Sequence, residues 1–360
     1  MERFNQRVVR SLAELEGSAI HKCEVIALWD TPEFGRMAPY NISLIPCSSN
    51  KVKAALAFVR SLIRMKPDIV LFGHVLLSPL SALARVLAHD ARRMLFVHGV
   101  EVWDDHSYRN VQERERWAVR RCIERVISVS RFTQTRMIES FGLAPNAFYI
   151  LPNAVDIDIP RLSPQIRTVS PEREYRLLTV TRLTLNDRYK GCDKVICAMP
   201  KVLRKFPNTY YCIVGEGPLR PELENLTKKL GVAAHVRFLG FLSDEQLEEV
   251  YHSSHVFVMP STKEGFGIVF LEAWKHGLPV IAGNRDASPE VVTHGVDGLI
   301  VNPDSIDDIG DGIVQFLSDP EMAEGMGQRG FEKVIGLYTH EHFRQNFVNI
   351  LLEATKRCVA

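Results

Sequence analysis

Two carboxylates beside a glycine-rich turn are the part of this sequence best suited to chemistry. Glu264 opens the turn Gly265-Phe266-Gly267, and Glu272 follows eight residues after Glu264. The two glycines let the backbone approach a ligand closely, and the apolar periodicity after Gly267 predicts a helix that begins there. The first N–H groups of that helix and its dipole favour an anion, for which a diphosphate is the natural occupant.

A pair of carboxylates also serves glycoside hydrolysis, which is one alternative for Glu264 and Glu272. Hydrolase carboxylates stand about 5–9.5 Å apart across one scissile bond, whereas eight residues of helix span about 12 Å. The loop before the helix can fold back, so the spacing leaves hydrolysis open. It favours two separate hydrogen-bonding tasks on two parts of one long ligand.

On these residues the sequence resembles the retaining glycosyltransferases of family 4 (glycosyl transferases group 1), which have the GT-B fold. The family pattern Glu-x7-Glu falls on Glu264 and Glu272, after a predicted strand that ends in Pro260-Ser261. Similar segments cover nearly the whole chain and include Ser128–Thr133, Leu151–Asp156, Val214–Pro218, Gly277–Ala282, Glu290–Val292 and Gly298–Val301. The resemblance is specific for the family and poorly specific for the substrate.

The resemblance implies a role for each residue of the expected site. It implies His98 and Glu264 as catalytic, Arg182, Lys190, Gly267, Ile268 and Val269 for the donor diphosphate, Gly265, Phe266 and Glu272 for the donor sugar and ribose, and Gly215, Gly217 and Phe241 for the base. The resemblance thus implies a diphosphate clamp formed by Arg182 and Lys190. This agrees with physical chemistry, because two fixed cations can neutralise the charge on a departing diphosphate. We expect Glu264 in a loop outside the core, so that Glu264→Ala abolishes transfer and leaves the fold intact.

The resemblance also implies the reaction and its partners. A hexose would move from GDP-mannose or a UDP-sugar to a lipid-linked or saccharide acceptor, with retention at the anomeric carbon. We expect no cofactor, no catalytic metal and no nucleic-acid partner. Two alternatives stay open: another GT-B enzyme, such as a nucleotide-sugar epimerase or a phosphorylase, and a non-catalytic or truncated subunit that binds nucleotide sugar.

Short β-rich runs alternate with helical patterns along the chain, which predicts parallel sheets covered on both faces. In the front half we expect strands at Cys23–Trp29, Ile42–Cys47, Asp68–His74, Met94–His98, Arg125–Ser130 and Phe148–Leu151. In the back half we expect them at Arg176–Thr181, Tyr210–Val214, Val236–Phe238, Val256–Met259, Pro279–Ala282 and Gly298–Val301. The predicted fold class is α/β, GT-B, with two Rossmann-like, doubly wound domains facing a central cleft.

Five prolines between residues 145 and 171 predict an extended connection between the domains. We expect an N-terminal acceptor-side domain over residues 1–160 and a C-terminal nucleotide-sugar-binding domain over residues 161–340. A C-terminal helix at about residues 341–360 is expected to pack back on the first domain.

The chain opens on a helical pattern that places Phe4, Val8, Leu12 and Leu15 on one face, which predicts a buried stripe. Family members carry a strand and a glycine-rich loop before this helix. We therefore expect the first strand to be missing from the front sheet, which would lower the stability and activity of the chain.

The net charge of the chain is only +1, but the charged residues are unevenly distributed along it. Residues 1–170 carry 23 Lys and Arg against 17 Asp and Glu, whereas the remainder carries 21 against 26. The basic half, with its amphipathic stretch Lys51–Lys66, fits an anionic membrane surface, although solvated arginine-rich helices are an equal alternative. We expect a cytoplasmic protein that is peripheral on the inner face of the membrane.

Seven cysteines without a Cys-x-x-Cys pair indicate reduced thiols rather than a disulfide framework or a zinc site. The apolar run at residues 69–88 is interrupted by His74 and Pro79. It therefore predicts a strand, a loop and a helix rather than a membrane span.

Overall fold

The computed structural model describes residues 2–15, 21–28, 42–157 and 174–355. Its contacts divide the chain into two compact units, of which one combines Met1–Asn153 with His340–Ala360 and the other is Ala154–Thr339. The boundary expected at residue 160 lies outside the described residues, as do residues 158–171 of the expected proline-rich connection.

Six parallel strands, and helices that cover them, lie in the described residues of the first unit. The strands are β1 (Glu24–Ala27), β2 (Ser43–Pro46), β3 (Ile69–Phe72), β4 (Arg92–Val97), β5 (Arg125–Ser128) and β6 (Phe148–Ile150). The helices are α1 (Glu2–Glu14), α2 (Lys51–Met65), α3 (Ser81–Leu87), α4 (Glu113–Cys122), α5 (Arg131–Phe141) and, from the far end of the chain, α13 (His340–Thr355). All six strands expected in this half are confirmed, with Trp29 outside the described residues.

Within the described residues, the sheet of the first unit is in two separate pieces. β1 pairs with β2, while β3, β4, β5 and β6 form a four-stranded sheet in that order. Parallel strands normally gain ladder hydrogen bonds on both sides when they lie inside a sheet. Here β1 and β3 each pair with a strand on one side.

Helix α1 carries the buried stripe that its spacing predicts. Phe4, Val8 and Leu12 are 3%, 7% and 8% exposed, and α1 packs against α13. The ring of Phe4 lies edge-on to Phe343 of α13, with 5.3 Å between the ring centroids. The amphipathic prediction for this helix is therefore confirmed.

The second unit is built on one continuous six-stranded parallel sheet. Its strands are β7 (Tyr175–Val180), β8 (Thr209–Val214), β9 (Val236–Gly240), β10 (Val256–Met259), β11 (Val280–Gly283) and β12 (Gly298–Val301). Its helices are α6 (Cys192–Lys205), α7 (Arg220–Lys229), α8 (Asp244–Ser253), α9 (Ile268–Lys275), α10 (Ser288–Val291), α11 (Ile306–Ser318) and α12 (Pro320–Leu337). The six strands expected in this half are confirmed.

The strand order in this sheet is β12-β11-β10-β7-β8-β9, which is the doubly wound Rossmann arrangement. The chain leaves β7 in one direction to build β8 and β9, and returns on the other side of β7 to build β10, β11 and β12. The order therefore reverses between β7 and β10. In such sheets, ligands bind beside this reversal, at the carboxyl ends of the strands.

None of the helices in the described part of the chain combines the length and apolar character needed to cross a bilayer. The apolar run at residues 69–88 forms strand β3, a short 3-10 segment at Val75–Leu80, and helix α3. This agrees with the strand, loop and helix expected there.

Candidate functional site

The candidate site in the second unit lies where the strand order reverses. β7 leads directly into Thr181 and Arg182, and β10 leads into Pro260 and the glycine-rich turn. A 3-10 segment, Leu185–Lys190, follows Arg182 and contacts the exit of β10, where the Thr262 N–H donates to the Tyr189 carbonyl over 3.0 Å. The two segments that carry the expected phosphate and sugar residues are thus neighbours.

Lys190 and Glu264 form an ion pair between these two segments. Their side chains are 17% and 11% exposed, so the pair is screened from solvent. Burial lowers the pKa of the Lys190 ammonium to about 8, against the opposing charges of Asp187 and Asp286. Glu264 itself is 9% exposed.

Burial corrects one expectation about Glu264. The residue lies in a loop, as predicted, but it is part of the packed interior rather than outside it. An alanine at this position would leave the Lys190 ammonium buried without its carboxylate. We therefore expect loss of the carboxylate to lower the stability of the fold.

Arg182 is far more accessible, with 73% of its side chain exposed. Its Nη2 donates to Asp187 Oδ1 over 3.1 Å, and the Thr184 hydroxyl donates to Asp187 Oδ2 over 2.5 Å. Asp187 is buried. This carboxylate therefore anchors one side of the guanidinium while most of the cation stays open to an anionic ligand.

Asp286 holds the loop of Glu264 and was not identified from the sequence. Its Oδ2 accepts from the Glu264 N–H over 2.7 Å and from the Ser261 hydroxyl over 2.8 Å, while Oδ1 accepts from the Ser288 N–H over 2.9 Å. Burial raises the pKa of the Asp286 carboxyl to about 6. The available signal was an aspartate two residues before the Ser-Pro start of a helix, shortly after a buried strand.

The helix expected after the turn is α9, and it begins as predicted. Gly267 precedes it with φ +87°, and a side chain there would overlap the Phe270 ring, so only glycine fits. Among the described residues, no acceptor is found for the N–H groups of Ile268 and Val269. The start of α9 therefore offers two backbone donors and the positive end of the helix dipole.

Phe266 and Glu272 are placed differently from each other. The Phe266 ring is 5% exposed and lies edge-on to Tyr338, so its side chain packs in the interior beside the buried Gly265. Glu272 is half-buried on α9, and its Oε2 accepts from the Tyr251 hydroxyl over 3.3 Å. A ligand contact by Phe266 would therefore use its backbone, whereas Glu272 keeps an oriented carboxylate.

The residues expected at the base lie beside the segment that follows β7. Gly215 has φ +132°, and a side chain there would overlap the Thr181 carbonyl; Gly217 packs in the same way against Leu183. The Gly215 N–H donates to the Gly240 carbonyl over 2.8 Å, and Phe241 follows with 88% of its surface exposed. An exposed aromatic ring suits stacking on a nucleobase.

His98 belongs to the first unit, directly after β4. Its ring Nε2 lies 3.2 Å from the Gly73 carbonyl, and the Phe4 ring stands edge-on to it at 4.8 Å. Its backbone N–H donates to the Glu101 carboxylate. Burial lowers the pKa of His98 to about 4, so the imidazole is neutral at physiological pH. Its role at the donor sugar stays a prediction.

Comparison with known families gives two matches that together cover most of the chain. A model for Glycosyltransferase Family 4 matches residues 1–159, and a model for Glycosyl transferases group 1 matches residues 165–333. A GDP-mannose-dependent alpha-(1-6)-phosphatidylinositol monomannoside mannosyltransferase of Mycobacterium tuberculosis is 38% identical over 219 residues. That stretch is 58% of this chain and 56% of the relative, so the match spans little more than half of its length.

Two solved structures resemble the whole chain. Anabaena Alr3699/HepE, in complex with UDP and glucose, has a TM-score of 0.76 at 17% identity over 96% of this chain and 95% of its own. A glycosyltransferase from Rickettsia africae ESF-5 has a TM-score of 0.77 at 18% identity over 98% and 95%. They confirm the GT-B fold with its two Rossmann-like domains. The chain belongs to the group 1 glycosyltransferases of family 4.

Proposed function

We propose that this protein transfers a hexose from a nucleoside-diphosphate sugar to a lipid-linked acceptor, with GDP-mannose as the first donor to test. The observation that carries the proposal is the meeting of Arg182, Lys190 and Glu264 at the strand-order reversal, beside the start of α9. GDP-mannose is the donor named for the mycobacterial relative, which also acts on a phosphatidylinositol mannoside.

In this proposal, the diphosphate binds between two cations and a helix start. Arg182 offers an exposed guanidinium, Lys190 a buried ammonium, and Ile268 and Val269 their N–H groups. Charge builds up on the diphosphate as the sugar leaves, and fixed donors stabilise it without reorganisation. The reaction then proceeds with retention and without a catalytic metal, and the departing diphosphate takes the proton of the acceptor hydroxyl.

Glu264 and Glu272 hold the two sugars of the donor in this proposal. Glu264 accepts hydrogen bonds from hydroxyl groups of the hexose, while Lys190 and Asp286 fix the position of Glu264. Glu272 accepts hydrogen bonds from the ribose hydroxyls, and Tyr251 orients the Glu272 carboxylate. The exposed Phe241 ring stacks on the base.

Helix α2 is proposed to hold the protein on an anionic membrane, where a lipid-linked acceptor would lie. Val52, Leu56 and Ile63 form one stripe on it, and each is more than half exposed. Lys53 and Arg60 are exposed on the same helix. An apolar stripe flanked by cations binds the interface of anionic bilayers.

The test is a transfer assay on the purified chain with a panel of nucleotide sugars and vesicles that contain mannosylated phosphatidylinositol. GDP release that requires both GDP-mannose and the lipid, with a hexose added to the lipid by mass spectrometry, would support the proposal. EDTA should leave the rate unchanged. Donor binding without transfer to any acceptor would favour a non-catalytic subunit, and turnover without acceptor would favour an epimerase.

A further inference from the structure

Three potential metal ligands meet at the corner between helices α8 and α9, apart from the residues given a role above. Glu248 and His252 are one turn apart on α8, and His276 directly follows α9. Each offers one ligand atom, and the three atoms lie within 4.8 Å of one another. Among the described residues, no other three side chains of these types bring their ligand atoms this close together.

Glu248 and His276 already stand at the spacing of ligands on one ion. Glu248 Oε2 and His276 Nε2 are 3.4 Å apart. Tetrahedral zinc ligands at about 2.0–2.1 Å from the ion stand roughly 3.3–3.4 Å from each other. His252 completes the group because residues four apart on a helix share a face, and its ring lies edge-on to His276 at 4.7 Å.

Neighbouring side chains fix two of the three groups. The buried Tyr251 ring is stacked on the His276 ring, with centroids 5.0 Å apart and planes 7° apart. Lys275 Nζ lies 2.9 Å from Glu248 Oε1, which turns Oε2 toward His276. Metal sites use outer groups of this kind to orient their ligands. The Lys275 charge opposes a cation and therefore moderates the affinity.

We propose that Glu248, His252 and His276 bind one divalent transition-metal ion of the Zn²⁺ type. Two imidazoles and one carboxylate are ligands that zinc accepts, with a fourth position left for water, whereas Mg²⁺ prefers oxygen ligands. The site forms a cross-link between α8 and the end of α9. This ion has no part in the proposed transfer, so zinc binding and transfer in EDTA are independent measurements.

The test is calorimetric titration of the untagged, metal-free protein with Zn²⁺ and, separately, with Mg²⁺. One equivalent of Zn²⁺ should bind and raise the melting temperature, while Mg²⁺ should do neither. His252→Ala and Glu248→Gln should each weaken Zn²⁺ binding tenfold or more. Co²⁺ should give a tetrahedral visible spectrum without the thiolate charge-transfer band that binding to a cysteine would produce.

The matched control is His89→Ala, which removes an 80% exposed histidine that pairs with Asp90 at 3.2 Å. It should leave the Zn²⁺ titration unchanged. His252 is partly exposed, so its alanine variant should fold, and circular dichroism verifies this. Absence of saturable Zn²⁺ binding, or binding that neither His252→Ala nor Glu248→Gln weakens, would overturn the proposal.

Discussion

Lys190 and Glu264 are 74 residues apart in the chain, and they form a buried ion pair across the strand-order reversal of the second unit. Neither partner can be removed alone without leaving the other charge desolvated. The pair therefore places a cation and an anion side by side where a donor with both phosphate and hydroxyl groups would need them. In the proposed function, the same two side chains serve both stability and ligand binding.

The first prediction measures how strongly the two charges stabilise each other, with a double-mutant cycle. Lys190→Met and Glu264→Gln should each lower the free energy of unfolding, by up to about 3–5 kcal/mol, the range for breaking a buried pair. The double variant should be more stable than the sum of the single losses predicts, by about 0.5–3 kcal/mol. Urea denaturation of the four proteins measures the cycle. Additive losses would show that the two charges are not coupled.

The second prediction concerns the exposed cation of the clamp. Arg182→Ala should weaken GDP binding by about 1.5–3 kcal/mol, which is the range for a hydrogen bond to a charged group. Its unfolding free energy should fall less than in the Lys190 and Glu264 variants, because the guanidinium is mostly exposed and the buried Asp187 keeps the hydrogen bond from the Thr184 hydroxyl. Calorimetry with GDP measures the effect.

The control for Arg182 is Arg188→Ala, on the 3-10 segment that follows Arg182. Arg188 is 49% exposed and makes two hydrogen bonds of 2.6 Å to Glu222. It has no role in the proposed clamp, so GDP affinity should stay at the wild-type value. Equal losses in the two variants would indicate a general charge effect rather than a diphosphate contact.

The third prediction uses the depressed pKa of Lys190. Above about pH 8 the ammonium loses its proton, so GDP affinity should fall as the pH rises through that value. Lys190→Arg should bind with a flatter pH profile, because a guanidinium stays charged. Calorimetric titrations from pH 7 to roughly pH 9.5 test this. That range brackets the lowered pKa of Lys190, about 8, and stays below the ordinary lysine pKa of about 10.4.

The lowered pKa of Lys190 also predicts how the stability of the protein changes with pH. The folded-state pKa lies below the unfolded one, so the unfolded chain binds more protons between about pH 8 and 10. The contribution of Lys190 to the unfolding free energy therefore rises with pH across that window. GDP binding and stability should move in opposite directions for this group, and a parallel decline would contradict the assignment.

The sequence predicted the strands well because β-rich runs bounded by helical patterns are local signals. It predicted Gly267 and the start of α9 for the same reason. The burial of Glu264 was missed, since a glycine-rich loop gives no sign that a lysine 74 residues earlier will cover it. Asp286 was missed because its three hydrogen bonds reach donors that only the fold brings together.

The fourth prediction concerns membrane binding by α2. The protein should co-sediment with vesicles that contain phosphatidylserine but not with neutral vesicles, and added salt should weaken the binding. Replacing Lys51, Lys53 and Arg60 by serine should abolish it. A double Lys228→Ser, Lys229→Ser variant on α7 of the second unit is the control and should bind as the wild type does. Absence of binding to anionic vesicles at low salt would contradict the proposed membrane binding by α2.

The last prediction concerns the unequal sheets of the two units. In the described residues, β1 has only β2 as a partner and β3 has only β4, whereas β10 and β11 lie inside a six-stranded sheet. The burial agrees, because every residue of β10 and β11 is buried while all four residues of β1 are half-buried. A two-stranded sheet is marginal in water, and strands with one partner leave backbone groups without a ladder.

Native-state hydrogen exchange measured by mass spectrometry should therefore resolve the two units. Peptides from β1 and β3 should exchange at least tenfold faster than peptides from β10 and β11, because local opening breaks fewer hydrogen bonds there. The comparison within one molecule controls for pH, temperature and global unfolding. As dilute denaturant is added, the backbone amides of β1 should lose their protection from exchange first, and those of the continuous sheet last. Equal protection in all four strands would show that the divided sheet is as stable as the continuous one, and that groups other than β2 and β4 protect the backbone of β1 and β3.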